Sequence, residues 1–600
     1  MKKYVVFFLS ILLCLSLVAC GTSSNDSGNT ASDSSSWKAG TYTASAKGMN
    51  GDVKVEVVLD ESSIKSVKVL EHQESEGISD PAIEKIPQQI VDAQGLGIDT
   101  VSGASFTSKA ILEAVTIALK EAGADVDALK KIKGDSSTAN KDIETAYDVV
   151  VIGGGGAGLT SAITAAENGA KVVVLEKMPA VGGNTLISGG EMAAPGNWLQ
   201  EKEGIEDSTD LFYEDILKGG DNESDPALIR VIADNALNEA IWLKDEVGVV
   251  WEDYMLFFGG HSVKRSLVPK NASGVELITK LEAKAKEMGI TILTDTKASA
   301  LIANSDDKET INAVEAEMNG DTVIFTAAKG VVLASGGFGA NIDMRVKYNP
   351  EMDDKILSTT SAGSTGDGIV MAEAIGAQLD DMSFIQTYPT CDPETGRLLY
   401  VGDVRLEGRS ILVNKEGKRF VEELERRDVI SKATTETSDG YSYMFWDQAS
   451  MVASKVDVKH KHEYDSLIDR GLLVKADTID EAAKHFGIDA EALKETVKNY
   501  NEYAKNGKDL EFNKRGELVA FTDGPYYIMK SIPAVHHTMG GVKINPDAQV
   551  INTTGDIIKG LYAAGEVTGN IHGTNRLGSD AIADIIVFGR VAGKNAAEGK

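Results

Sequence analysis

The sequence predicts an α/β protein whose larger part is a Rossmann-like dinucleotide-binding fold, preceded by a small α+β domain. Three observations carry this. The apolar run Tyr147 to Ile152 leads straight into Gly153-Gly154-Gly155-Gly156-Ala157-Gly158 and a helical stretch, Leu159 to Asn168. A second apolar run, Lys171 to Leu175, ends on the acid Glu176, where a nucleotide ribose needs a carboxylate. Ahead of both, Val53, Val55, Val57 and Leu59 alternate with polar residues, Ile64 to Leu70 repeats the strand pattern, and helical patterns follow. At 600 residues the chain has room for several domains, because one core rarely grows past roughly 250–300 residues.

The first twenty residues read as an export signal. Lys2 and Lys3 start it and Tyr4 to Val18 is apolar, shorter than the ~20 residues a membrane-spanning helix needs. Leu17-Val18-Ala19-Cys20-Gly21 resembles the lipobox of bacterial lipoproteins. That resemblance implies a signal over 1–19, a diacylglyceryl group on Cys20, and a protein held on the extracytoplasmic face of the cell membrane. The alternative is a plain signal peptide. Residues 20–36, rich in Ser, Asn, Asp and Gly, cannot bury a core and form a tether. Of three cysteines only Cys391 remains beyond this region. A disulfide framework, a cysteine-held metal and a c-type haem are therefore excluded, and no metal site is expected. The balance of 60 basic and 91 acidic residues, net −31, repels nucleic acid and anionic headgroups.

The small domain spans 37–124, with a helix expected over 81–92. Its string Asp99-Thr100-Val101-Ser102-Gly103-Ala104-Ser105-Phe106-Thr107-Ser108 enters an amphipathic helix carrying Ile111, Leu112, Val115 and Leu119 on one face. Thr107 then lies in the first turn, where free N–H groups and the dipole suit a phosphate. The string resembles the flavinylation motif of FMN-binding domains in sodium-pumping quinone reductases and extracellular reductases, with Ser105 where those have Thr. It implies covalent FMN esterified to Thr107 by a dedicated FMN transferase. The competing reading makes Thr107 or Ser108 a helix cap. Residues 125–144 are charged and read as a linker.

In the large domain Gly153, Gly155 and Gly158 fit G-x-G-x-x-G: a tight turn, a close approach to pyrophosphate, and close helix–strand packing. Later strings follow: Gly182-Gly183-Asn184-Thr185, Ser188-Gly189-Gly190, Leu333-Ala334-Ser335-Gly336-Gly337, Thr365-Gly366-Asp367-Gly368 and Ala564-Gly565-Glu566. Together they resemble the flavoprotein subunits of fumarate reductase and succinate dehydrogenase, especially the soluble flavocytochrome c group. The resemblance implies non-covalent FAD against Ala157, Glu176, Asn184, Thr185, Gly189, Asp367, His537, Glu566, Ala581 and Ile582. It also implies an inserted α+β capping domain over 390–527, dividing the FAD-binding domain into 145–389 and 528–600.

Reducing an activated C=C bond takes a hydride donor, a clamp on the acid and a proton. By the same resemblance His536 and Arg576 grip a substrate carboxylate, Arg427 is the proton donor, and Arg405 relays protons to it. Where fumarate reductases have Gln-x-His-Pro-Thr this chain has Gln386-Thr387-Tyr388-Pro389-Thr390, and in place of their Thr-Glu pair it reads Val401-Gly402-Asp403-Val404-Arg405. Tyr388 with Asp403 looks like the pair of urocanate reductases. There an aspartate would accept imidazole N–H and repel a second carboxylate. Gly190, Glu191 and Phe258 complete that end, Glu191 on the other imidazole nitrogen and Phe258 against the ring. The implied substrate is a small unsaturated carboxylate, urocanate first, with fumarate, methacrylate or a cinnamate as alternatives. Electrons would arrive through FMN from a membrane quinol-linked or flavinylated donor in anaerobic respiration. An electron-transfer flavolipoprotein without catalysis is the reading from another class.

Overall fold

The computed structural model describes residues 37–49, 51–74, 79–98, 100–101, 104–132 and 143–600. The expected export signal, Cys20 and tether lie outside the described residues, as do Asp99, Ser102, Gly103 and the Ser105 side chain. Among the described residues no helix is long and apolar enough to cross a membrane. Three large hydrophobic cores divide the described residues.

The first core belongs to an antiparallel sheet of Gly40–Lys47, Asp52–Leu59 and Ile64–Glu71, packed against helices Asp80–Ala93 and Ser105–Glu121. Val53, Val55 and Val57 are fully buried and their neighbours are not, as strand alternation requires. Part of the expected linker folds onto this domain. The short helix Val126–Leu129, capped by the Asp125 side chain, buries Leu129, and Leu96 N and Gly97 N donate to Leu129 O and Ile132 O. The domain therefore runs past 124 to at least Ile132.

The second core surrounds an eight-stranded sheet. Its centre is parallel: Val172–Leu175, Ala146–Ile152, Asp321–Leu333 and Ile557–Ala563 lie side by side in one direction. Val149, Val150 and Val151 are fully buried, which explains an uninterrupted apolar run instead of an alternating one. Helix Gly156–Glu167 packs against the C-terminal helix Asp580–Glu598 on this sheet. Gly153 has φ +106°, and a Cβ there would lie 2.3 Å from Ala334 O. At Gly158 a Cβ would come 1.9 Å from Gly153 O, so only glycine lets the helix sit this close. Because the strands are parallel, the loops after Ile152, Leu175, Leu333 and Ala563 gather at one end, where ligands of such sheets bind.

The third core is the inserted domain, on a sheet ordered Ile385–Cys391, Tyr526–Thr538, Ser442–Asp447, Ile411–Val413, with Leu473–Ala476 also on Tyr526–Thr538. The expected borders at 389/390 and 527/528 fall inside two strands that pair with each other. Tyr526 to Ser531 pairs with cap strands and Ile532 to Thr538 with the entry strand, so one continuous strand belongs to both domains.

Candidate active site

A cleft of about 1170 Å³ opens at the carboxyl end of the parallel strands. Gly153, Gly155 and Ala157 form its floor, and helix Gly156–Glu167 starts there without a side-chain cap, leaving its first N–H groups toward the cleft. Glu176, 7% exposed, accepts Gly154 N at 2.7 Å and Met178 N at 2.8 Å, and burial raises its pKa. Those two bonds aim a carboxylate at the wall where a ribose would lie. Asn184, Thr185, His537, Ala581 and Ile582 line the remainder. Asn184 donates to Glu566 at 2.8 Å and accepts Ser361 N at 2.7 Å, and Glu566 also accepts Thr538 N at 3.0 Å. Asp367 pairs with Lys177 at 2.6 Å, which holds its pKa down against the burial that raises it. An uncapped helix start, a glycine-shaped floor and a carboxylate at the ribose position fit a flavin dinucleotide. Two expected contacts differ. Gly158 serves helix packing and does not line the cleft, and Gly189 lines the adjoining cavity.

That cavity, about 580 Å³, shares Ser188, His536, Arg576, Ala581 and Ile582 with the cleft. A molecule within it would meet the flavin where the two spaces join. One end is cationic. Arg427 begins the helix Arg427–Thr435, its guanidinium 4.8 Å from the centroid of Tyr388 and 5.5 Å from that of Phe258. Its Nη1 donates to Gln386 Oε1 at 3.5 Å, and Gln386 Nε2 donates to Arg576 O at 2.7 Å. The His536 ring lies 5.1 Å from that of Tyr388, and its Nδ1 is 2.8 Å from Thr359 Oγ1. Burial, then the charges of Arg427 and Arg576, hold His536 well below its usual pKa. It is a neutral imidazole whose Nε2–H is free to donate when Thr359 gives its proton to Nδ1.

The other end is acidic, with Asp403, Glu191 and Gly190 beside Tyr400. Asp403 sits on the turn Tyr400–Val404, and burial followed by the charge of Glu191 raises its pKa well above the usual carboxylate range. Burial also raises Glu191, offset by Arg427 and Arg576. Every expected substrate-contacting side chain therefore faces one cavity. Arg405 does not line it. It is 3% exposed, donates to Glu423 O at 2.7 Å, and leaves its Nε without a partner.

In the first domain Ser108, not Thr107, ties the loop: its hydroxyl accepts Val101 N and donates to Ala104 O. Thr107, 4% exposed, turns its hydroxyl to Glu74. The threonine oxygen is thus uninvolved in capping and stands at the start of a 17-residue helix whose N-cap, Ala104, offers no side-chain bond. That is where an ester-linked phosphate would find free N–H groups.

Several contributors carried no sequence motif. Lys177 follows Glu176 and folds back on Asp367; Thr359 orients His536 from a loop; Gln386 bridges Arg427 and Arg576; Tyr400 closes the acidic end. Gln386 is the exception among them, since it stands in the string Gln386-Thr387-Tyr388-Pro389-Thr390.

A profile of the FAD binding domain matches residues 148–582, and one of the FMN-binding domain matches residues 48–120. A urocanate reductase of Eggerthella lenta is 46% identical over 97% of this chain and 96% of its own. A fumarate reductase (cytochrome) of Shewanella frigidimarina is 38% identical over 75% of this chain and 77% of its own. Among solved structures, the open conformation of a flavocytochrome c3 fumarate reductase matches with TM-score 0.63 at 35% identity, covering 79% of this chain and 81% of that one. Fold, joined cavities and relatives together define a flavin-dependent oxidoreductase acting on CH–CH bonds. The chain belongs to the fumarate reductase–flavocytochrome c flavoprotein family, with an FMN-binding domain at its N-terminal end.

Proposed function

We propose that this chain reduces the C=C bond of urocanate to give imidazole propionate. The observation that carries it is the polarity of the 580 Å³ cavity: His536, Arg427 and Arg576 at one end, Asp403 and Glu191 at the other. A carboxylate seats against the His536 Nε2–H and the Arg576 fork, which draw charge toward it as the double bond is attacked. At the opposite end a neutral imidazole offers one N–H donor and one bare nitrogen. An acid pair that keeps one proton supplies the matching acceptor and donor, and the mutual effect of Asp403 and Glu191 favours that state. The second carboxylate of fumarate would meet those acids and be repelled. Gly153, Gly155, Glu176 and Glu566 would hold FAD in the adjoining cleft, and the bound flavin would supply the hydride. Arg427 gives the proton to the double bond, and Arg405 with its unpartnered Nε restores it. The 46% identical relative that is a urocanate reductase supports the reading.

Anaerobic turnover with reduced viologen tests it: urocanate should outrun fumarate by a wide margin in kcat/KM, and the reverse order sinks the assignment. R427A should lose roughly 10²- to 10⁴-fold in turnover with its FAD spectrum intact. Full activity in R427A would instead favour the non-catalytic electron carrier.

The same reading extends to the rest of the chain. Thr107 would hold FMN covalently, attached by a transferase, and that flavin would supply the route by which electrons from a membrane quinol-linked or flavinylated donor reach the FAD site. Export and lipidation of Cys20 hold the enzyme on the outer face of the cell membrane, as the lipobox-like string suggests.

A further inference from the structure

Charged contacts at two places tie the FMN-binding domain to the remainder of the molecule. At one, Lys85 donates to Pro179 O and lies 3.4 Å from Asp295. At the other, the Arg397 guanidinium sits over the ring of Phe106, 5.2 Å from its centroid. Phe106 is 44% exposed and directly precedes Thr107, so this second contact falls at the mouth of the flavin attachment site.

Arg397 is held by a rigid turn. Cys391 bridges Leu398, Asp392 N donates to Arg397 O at 2.8 Å, and Asp392 accepts Glu394 N and Thr395 N while pairing with Arg470 at 2.6 Å. The chain leaving this turn, Leu398 to Tyr400, forms a wall of the substrate cavity. Among the described residues Arg397 forms no ion pair within 4 Å, although Asp392 and Glu74 are near enough for their charges to act on it.

Esterifying Thr107 changes the charge there. A phosphodiester keeps one negative charge, and Glu74, the present partner of the Thr107 hydroxyl, is itself a buried carboxylate. Two anions in a poorly solvated place repel strongly, and a guanidinium relieves this by gripping two phosphate oxygens. We propose that Arg397 completes the FMN phosphate site from across the domain interface, so that flavinylation clamps the FMN-binding domain against the wall of the substrate cavity. This rests on the reading of Thr107 as the attachment residue.

The test uses full-length protein holding both flavins, as wild type, R397A and R397K, with K109A as control because Lys109 lies in the same helical turn as Thr107. Mass spectrometry of the Thr107 peptide fixes the FMN content. Hydrogen exchange over 391–400 is compared with unflavinylated T107V, and FMN-to-FAD electron transfer is timed after flash reduction. Flavinylation should slow exchange at 391–400 roughly fivefold or more in wild type and K109A, partly in R397K, and not in R397A. Electron transfer in R397A should fall roughly tenfold while reduced viologen still drives the FAD site at the wild-type rate. At equal FMN content, wild-type exchange and transfer in R397A overturn the proposal, as does an effect confined to K109A. A Thr107 peptide without FMN overturns the attachment reading itself, a result that the mass measurement separates from the others.

Discussion

Asp403 and Glu191 face one another's charge in a cavity that also holds two arginines, and burial with the Glu191 charge lifts Asp403 well above its usual range. The main charge opposing that rise is Arg405, buried behind the wall of the cavity. A substrate N–H at Asp403 therefore gains a partner that solvent cannot replace. Removing it should cost on the order of a charged hydrogen bond, about 1.5–3 kcal/mol, or roughly ten- to a hundredfold in kcat/KM. D403A should show that loss with urocanate and little change with a cinnamate, which has a ring but no N–H. With fumarate the rate should stay low, because the charge the pair shares remains on Glu191. Steady-state rates on the three acids decide it, and an equal loss on all of them would make Asp403 a structural residue.

At the level of elements, the turn Tyr400–Val404 that carries Asp403 is fastened from behind by Glu463 on the helix Lys461–Asp469, which accepts Tyr400 N at 3.2 Å and Val401 N at 2.7 Å. Burial pushes Glu463 up to about 7, against the two backbone bonds that lower it. A carboxyl raised above its unfolded value binds more proton in the native state, so its contribution is full below about pH 4.5 and is lost as pH rises to about 7. E463Q cannot ionise; its single amide oxygen keeps the shorter bond, to Val401 N, and gives up the one to Tyr400 N, a loss that is the same at every pH. Its Tm should fall less than that of wild type between pH 5 and 8.5, by an amount worth on the order of 3 kcal/mol at most; parallel Tm curves would refute this. Such tertiary fastenings also mark where the sequence stops being readable. The strand, glycines, helix and Glu176 of the flavin cleft each obey a rule acting over a few residues, which makes them legible in the sequence. The helix opens at Gly156 and not Leu159 because Gly156, which faces the cleft, and Gly158, which packs on the strand, are already helical. The cap borders were missed by a few residues because Ile385–Cys391 and Tyr526–Thr538 pair across the whole insertion, which leaves no local mark. Lys177, Thr359 and Glu463 act through partners remote in sequence or through backbone groups, and no spacing announces them.

Across the whole molecule, three cores carry two flavin sites, and the electron path sets how they must cooperate. The chemistry needs only the FAD-binding body and its cap, since His536, Arg576, Arg427 and Asp403 all come from residues after 385 and meet in one cavity. The first domain adds Thr107, whose hydroxyl caps nothing and whose neighbour Phe106 touches the turn leading to that cavity. Thr107→Val keeps the buried shape and removes only the esterifiable oxygen, so the fold and the FAD site should be untouched. Acid precipitation separates the two flavins: T107V should still release FAD into the supernatant, while the fluorescence that stays with the denatured wild-type polypeptide should vanish. Reduced viologen, which can reach FAD directly, should support urocanate reduction in T107V at close to the wild-type rate. A quinol-linked membrane preparation should not. If T107V keeps polypeptide-bound flavin, the attachment lies elsewhere; if it loses that flavin yet accepts electrons from the membrane unimpaired, FMN is not on the path to FAD.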